Sequence, residues 1–559
     1  MIRFAPAIAI TVLIGPVAFG LAATFLPAFG YLPTLGGESL DLEPWRQLLA
    51  TPGLLGSVLV PLAAGLVTAF ASLVTVCGFV AGWSHLRAFQ ALQHLLSPLL
   101  AVPHAAAALG LAFLLAPSGW LMRLVSPELT GFVRPPDWLI VHDPWGLTMM
   151  AGLYAKELPF LFLVTLAALP QARPGPHAAM TASLGYGRIA GFMHGVWPLV
   201  YPQIRLAVFA VIAFASSTVE VAILLGPTNP APLAARLAVW MNDPDLAMRF
   251  KASAGAVLQL GVTLSALLIW IAGERLAGMI AGSLRRSGRR FTHDLVPRLA
   301  AAGAALLAGS AVFAGLFLLA LWSLAGPWRF PDAFPQSLTL ATWSRHAAGL
   351  AWPLAVTLGV GLCSTLIALA LALACLEHEA RTGRAAGRAL ALLYVPLIVP
   401  QAAFVFGLQL FFLVSPLDVS FTALTLAHLV FVLPYVFLSL GDPWRAFDAR
   451  YAQLALAMGA SPSRVFWRVR APILLRPILT AAAVGFAVSI GQYLPTLLIG
   501  AGRWPTLTTE AVALASGGDR RVIGVYAFVQ LALPFAGFVL ATMLPALLHS
   551  GRRDMRVAG

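Results

Sequence analysis

Apolar stretches of about twenty residues recur along nearly the whole chain, and no other feature restricts its fold as strongly. A bilayer core roughly 30 Å thick takes about 20 apolar helical residues to cross. Lipid offers no hydrogen-bonding partners, so each segment must satisfy its own backbone. Across the 559 residues, twelve such stretches fall at 5–27, 55–83, 95–116, 145–170, 206–225, 253–273, 299–325, 348–375, 390–414, 421–440, 478–500 and 522–547. They are continuous rather than alternating, which argues for helices over barrel strands. The sequence therefore predicts an all-α polytopic membrane protein. Only 10% of residues are charged, against roughly 25% in a soluble domain. Pro103 interrupts the third stretch, and Pro396 and Pro400 the ninth.

With the N-terminus inside and twelve crossings, the inner loops carry about twice as many Lys and Arg as the outer ones, which places both termini in the cytoplasm. The formal charge of +14 then reflects short basic loops between spans rather than a face for nucleic acid. Cys77, Cys363 and Cys375 lie singly in apolar runs without CxxC spacing, which predicts neither a zinc site nor a disulfide framework.

The basic run Leu284-Arg285-Arg286-Ser287-Gly288-Arg289-Arg290 divides the chain. The expected units are a first membrane domain at 1–283, a cytoplasmic linker at 284–298 and a second membrane domain at 299–559. The halves repeat one another: Gly185, Phe192, Pro198 and Gly226 recur as Gly459, Phe466, Pro472 and Gly500, each 274 residues on. Six spans per half send both copies into the membrane in the same direction. Such parallel repeats are related by an axis along the membrane normal, with the route for solute between them.

The loop after the fourth span of each half carries most of this repeat. The first reads Ala179-Met180-Thr181-Ala182-Ser183-Leu184-Gly185-Tyr186-Gly187-Arg188 and continues to Pro198. The second reads Gln453-Leu454-Ala455-Leu456-Ala457-Met458-Gly459-Ala460-Ser461-Pro462-Ser463-Arg464 and continues to Pro472. Each predicts a short helix, a glycine break and a second short helix. Ser461 is placed to cap the latter, with Pro462 at its first position, where a missing N–H costs nothing.

These loops resemble those of ABC importer permeases, whose pattern is Glu-Ala-Ala, three residues, Gly, nine residues, then Ile-x-Leu-Pro. Glycine and proline match in both copies, while the acidic triplet is replaced by Ala179-Met180-Thr181 and Gln453-Leu454-Ala455. The resemblance covers both halves and is closest to fused permeases of the ferric iron, thiamine and sulfate type. The runs Gln492-Tyr493-Leu494-Pro495-Thr496 and Thr506-Leu507-Thr508-Thr509-Glu510 point toward the thiamine transport branch. It implies that Gly185, Arg188 and Pro198, with Gly459, Ser461, Arg464 and Pro472, position two coupling helices against ATPase subunits.

A P-loop needs a lysine after a glycine-rich turn, but the only lysines, Lys156 and Lys251, follow Ala155 and Phe250. The expectation is a transport subunit, not an enzyme, that binds no cofactor itself. Two copies of a separate ABC ATPase would use ATP and magnesium, and a periplasmic solute-binding protein would deliver a small polar or charged solute, thiamine or a related cation, through the bacterial inner membrane. A secondary transporter of the major facilitator type is the alternative, although the stretch from His85 to His94 has Arg87 and no acidic residue.

Ionisable residues inside a membrane are costly and usually face a partner or a cavity. Glu220 either pairs with Lys156 or faces the route, whereas Lys156 and Glu157, adjacent in sequence, are poor partners for each other. The 274-residue offset aligns Thr218 with Gln492, Val219 with Tyr493 and Glu220 with Leu494. Thr218, Glu220, Gln492 and Tyr493 are accordingly the expected lining residues of the substrate pathway.

Overall fold

A computed structural model describes residues 2–548 apart from 87–88, 90–92, 94–95, 384–391, 415–416 and 418. The first half contains α1 (Ala5–Ala28), α2 (Leu54–Trp83), α3 (His104–Leu115), α4 (Leu147–Ala168), α5 (Pro174–Ser183), α6 (Arg188–Gly195), α7 (Trp197–Ala215), α8 (Glu220–Leu225) and α9 (Met248–Arg286). The second contains α10 (Leu295–Leu324), α11 (Ala341–Thr382), α12 (Gln401–Val414), α13 (Phe421–Arg445), α14 (Ala449–Ala457), α15 (Pro462–Val465), α16 (Leu475–Ile490), α17 (Leu494–Gly500) and α18 (Arg520–Leu548). The all-α expectation holds.

Twelve uniform spans do not. Among the described residues ten helices are long and apolar enough to cross a membrane, or eleven if the bent pair Pro462–Ile473 and Leu475–Ile490 counts as one span. Proline explains part of the difference. Pro103 and Pro400 stand immediately before α3 and α12, where a fixed φ and a missing N–H suit a helix start. The ninth span is thereby shorter than read, whereas the third is shifted and runs on to Val125; residues 95 and 390–391, their expected beginnings, lie outside the described residues. The fifth and eleventh, expected as continuous helices at 206–225 and 478–500, are each broken in the middle. Others are longer than expected: α9 has 39 residues, about 58 Å at 1.5 Å per residue. Its Glu274 is held by Arg205 of α7 through Nε and Nη2, the latter at 2.7 Å, and accepts from Tyr201.

The halves interlock by exchanging their first helices. α1 packs on α12 of the second half, and α10 packs on α3 of the first. In lipid, helix association relies on close packing, which favours small residues at crossings. Both crossings use glycine. A Cβ on Gly407 would stand 2.1 Å from the Gly20 carbonyl oxygen, and one on Gly110 would stand 2.7 Å from the Gly315 carbonyl carbon. At the first crossing the Thr24 hydroxyl donates to Gly20 O at 2.8 Å and accepts from Gly407 N–H at 3.1 Å.

A methyl group at either crossing forces backbones apart, an overpacking that costs about 1–3 kcal/mol. Gly407→Ala and Gly110→Ala are expected to lower the thermal unfolding midpoint of the purified protein. Gly303→Ala, whose added Cβ meets nothing within 4 Å, is expected to leave it unchanged or slightly raised, since alanine favours helix.

Candidate functional site

Both loops have the helix, glycine and helix arrangement their sequences predict. α5 ends in a turn where Gly185 N–H bonds Ala182 O at 2.9 Å and Tyr186 N–H bonds Thr181 O at 3.1 Å; α14 ends likewise, with Gly459 N–H on Leu456 O at 2.9 Å and Ala460 N–H on Ala455 O at 3.0 Å. This paired closure needs a left-handed residue at its centre, and Gly185 and Gly459 have φ of 80° and 81°. Ser461 Oγ accepts from Arg464 N–H at 3.4 Å and Pro462 follows it at the first helical position. Pro198 occupies the second position of α7. Pro472 lies in the single turn Ala471–Ile473, after a π turn at Phe466–Arg470, where the chain bends by 76° into α16.

Each loop is anchored to the end of its half's second long helix. Arg188 donates to Gly82 O at 3.1 Å and to His85 Nε2 at 2.8 Å. Desolvation, then Arg188 and Arg298, lowers the His85 pKa, which keeps the imidazole neutral and able to accept. In the second half the buried Glu377 of α11 accepts from Arg381 at 2.7 Å and pairs with Arg470. The Arg470 guanidinium also lies over Trp444 and Phe447, at 5.6 and 5.2 Å. Met180 and Leu184 on the first loop, and Leu454, Met458 and Trp467 on the second, are exposed.

The broken helices hold the four expected pathway residues. α7 stops at Ala215 and α8 starts at Glu220; α16 stops at Ile490 and α17 starts at Leu494. Thr218 lies within the first break, Glu220 at its end, and Gln492 and Tyr493 within the second. All four are buried. The Glu220 carboxylate sits by Thr218 and within electrostatic reach of His104 and Tyr493, so the breaks face one another across the halves. Gln401, which opens α12 as His104 opens α3, donates to Gln492 Oε1 at 3.3 Å.

Of the two alternatives for Glu220, the pairing with Lys156 is not formed: no ion pair joins them. Glu157 is buried and engages His104 Nε2 at 2.8 Å. Lys156 is also buried. One helical position advances the side chain by about 100°, which is why neighbours on α4 part company.

Sequence reasoning missed the residues that make the breaks tolerable. A buried carbonyl freed by a break must find a donor. In the first half Gln259 of α9 donates to Ser216 O at 2.9 Å. In the second, Thr508 donates to Ile490 O, and Gln530 of α18 donates to Thr508 Oγ1 at 2.6 Å. His428 of α13 bridges the second break, with Nδ1 2.8 Å from Ser489 Oγ and Nε2 2.9 Å from Thr496 Oγ1. A lone histidine or glutamine in an apolar run was the available signal.

Matching broken helices that face each other, with buried polar groups at the breaks, are an arrangement that membrane transporters use. Residues 364–550 match the family described as the binding-protein-dependent transport system inner membrane component. The inner membrane ABC transporter permease protein YnjC of Escherichia coli K12 is 32% identical over 541 residues, covering 96% of this chain and 97% of the relative. The spermidine/putrescine transport system permease protein PotC of Haemophilus influenzae is 22% identical over 27% of this chain and 60% of its own length. The molybdenum transport system permease protein ModB of Mycobacterium tuberculosis is 36% identical over 15% of this chain and 32% of its own. The chain belongs to the inner-membrane ABC transporter permease family. It is a multi-pass transport subunit, and nothing supports the major facilitator alternative.

Replacing His428 removes partners from two buried hydroxyl groups, a loss worth about 1–3 kcal/mol. His428→Phe is expected to destabilise the protein in thermal unfolding and to speed amide exchange around 491–497. Tyr154→Phe, which removes the single 3.0 Å bond to Thr75, is expected to have a smaller effect.

Proposed function

We propose that this permease carries a small polar or charged solute from a periplasmic binding protein into the cytoplasm, driven by two copies of a separate ABC ATPase. The near full-length likeness to an inner membrane ABC transporter permease carries this reading. The two glycine-broken loops are its docking points, with Gly185, Arg188, Pro198, Gly459, Ser461, Arg464 and Pro472 shaping them. Exposed apolar side chains on both loops suit a groove on a partner protein, because large exposed apolar groups mark interaction sites. Both termini and the linker are then cytoplasmic, on the ATPase side. The chain supplies no nucleotide site; ATP and magnesium act on the partner.

Thr218, Glu220, Gln492 and Tyr493 line the route between the halves. Its walls are chemically unequal, with Glu220 and Glu157 on the first half's side and amides and a phenol on the other. The resemblance of the sequence suggests thiamine or a related cation; Glu220 would meet it, since Glu157 is engaged by His104 and lies beside the buried Lys156. Relatives are named for spermidine and putrescine in one case and molybdenum in another, so membership of the family leaves the solute open.

Purification of the tagged chain from native membranes is expected to bring down an ATPase subunit at two copies per permease; its absence would overturn the reading. At φ near +80° a β-branched residue is strained by roughly 1–2 kcal/mol. The double variant Gly185→Val with Gly459→Val is therefore expected to insert normally yet lose most ATP hydrolysis by the complex. Glu220→Gln is expected to reduce uptake while leaving expression unchanged.

A further inference from the structure

The two loops are built alike but held differently. In the second, Ser461 caps α15 locally, and a Cβ on Gly459 would meet nothing within 4 Å. In the first, Gly187 stands at the capping position and offers no side chain. A segment more than a hundred residues away supplies the cap instead. Asp294, only 6% exposed, accepts Ile189 N–H through Oδ2 at 2.9 Å, and Gly187 N–H donates to Arg290 O at 2.9 Å. A Cβ on Gly187 would lie 2.1 Å from Phe291 O, so the two backbones touch.

Asp294 is also the residue immediately before α10. Its carboxylate pairs with Arg298, one turn into that helix, at 2.9 Å. Arg298 O accepts from Trp83 Nε1 at 3.1 Å at the end of α2, and Arg188 of α6 reaches Gly82 O on the same helix. The contacts close a ring through α6, Asp294, α10 and α2. Among the described residues no hydrogen bond or ion pair joins the second loop to α1, the first helix of the opposite half.

We propose that Asp294 is a positioning residue that locks the first coupling helix to α10, so that this loop moves as one body with the first helix of the second half. The proposal rests on the reading of both loops as ATPase docking points. Displacement of α6 then passes through α10 and the Gly315–Gly110 crossing to α3, which carries His104 at its start. The second loop instead transmits through Glu377 and Arg470 within its own half, so the two ATPase subunits act on the permease through unequal linkages.

Amide exchange of the full chain in nanodiscs reads the lock directly. Asp294→Ala is expected to speed exchange at 189–192 about tenfold, the usual scale of a lost helix cap, with 464–467 unaffected. Asp294→Asn keeps an acceptor and should fall between. Gly187→Ala is an independent variant: the φ of −60° there accepts alanine, but its methyl displaces Phe291 O, and it should match Asp294→Ala. Wild-type exchange in both Asp294→Ala and Gly187→Ala would overturn the lock.

Spin labels at Met193 and Val296, in a Cys363→Ser background of the ATPase-bound complex, test the shared motion. Their distance is expected to stay constant when Mg-ATP and vanadate are added, and to change in Asp294→Ala; a change in the wild type would overturn the proposal. Labels at Met193 and Met458 report whether nucleotide moves the loops relative to each other. No response there would overturn the docking reading itself, and the proposal with it.

Discussion

Two glycine-on-glycine crossings hold the halves together, and the placement of the interior polar groups follows from them. Helices gain little from burial against each other when lipid tails are equally apolar, so association depends on how closely backbones approach. Gly20 on Gly407 and Gly110 on Gly315 bring the backbones into direct contact, with no room for a Cβ between them. Each crossing fixes a third helix whose first residue, His104 or Gln401, then meets the polar groups of a broken fifth helix.

Those breaks need compensation, because an unsatisfied backbone group in hydrocarbon costs several kcal/mol. The halves answer the same demand with related chemistry. Gln259 reaches Ser216 O directly, whereas Gln530 works through the Thr508 hydroxyl. The second break is stapled further by His428 across Ser489 and Thr496. In the first half Tyr154, 274 residues before His428, turns to Thr75 of α2 instead. The repeat is therefore similar in backbone and asymmetric in the side chains that hold it, the first break also using Ser216 with Thr263.

Much of this was legible in the sequence. Continuous apolar runs gave the helical class, and the recurring glycines identified two left-handed turns. Ser461-Pro462 gave a helix start that the structure reproduces. The breaks at 216–219 and 491–493 were not legible, because the apolar runs continue beyond them and the first contains neither glycine nor proline. Long-range partners, such as Asp294 for Ile189, leave no local pattern at all. The fixed 274-residue offset also hid the repeat upstream: Pro61 and Pro353, and Pro103 and Pro400, correspond at larger spacings because the intervening loops differ in length.

The exchange of first helices has a consequence for biogenesis. Thr24 and its partner Gly407 are 383 residues apart, and a ribosome adding roughly 5–20 residues per second takes about 20–80 s to cover that interval. Throughout it, α1 sits in the bilayer with its glycine face bare to lipid or to whatever insertion factor shields it. α1 is thus made long before its partner exists, and the second half closes the first as it emerges.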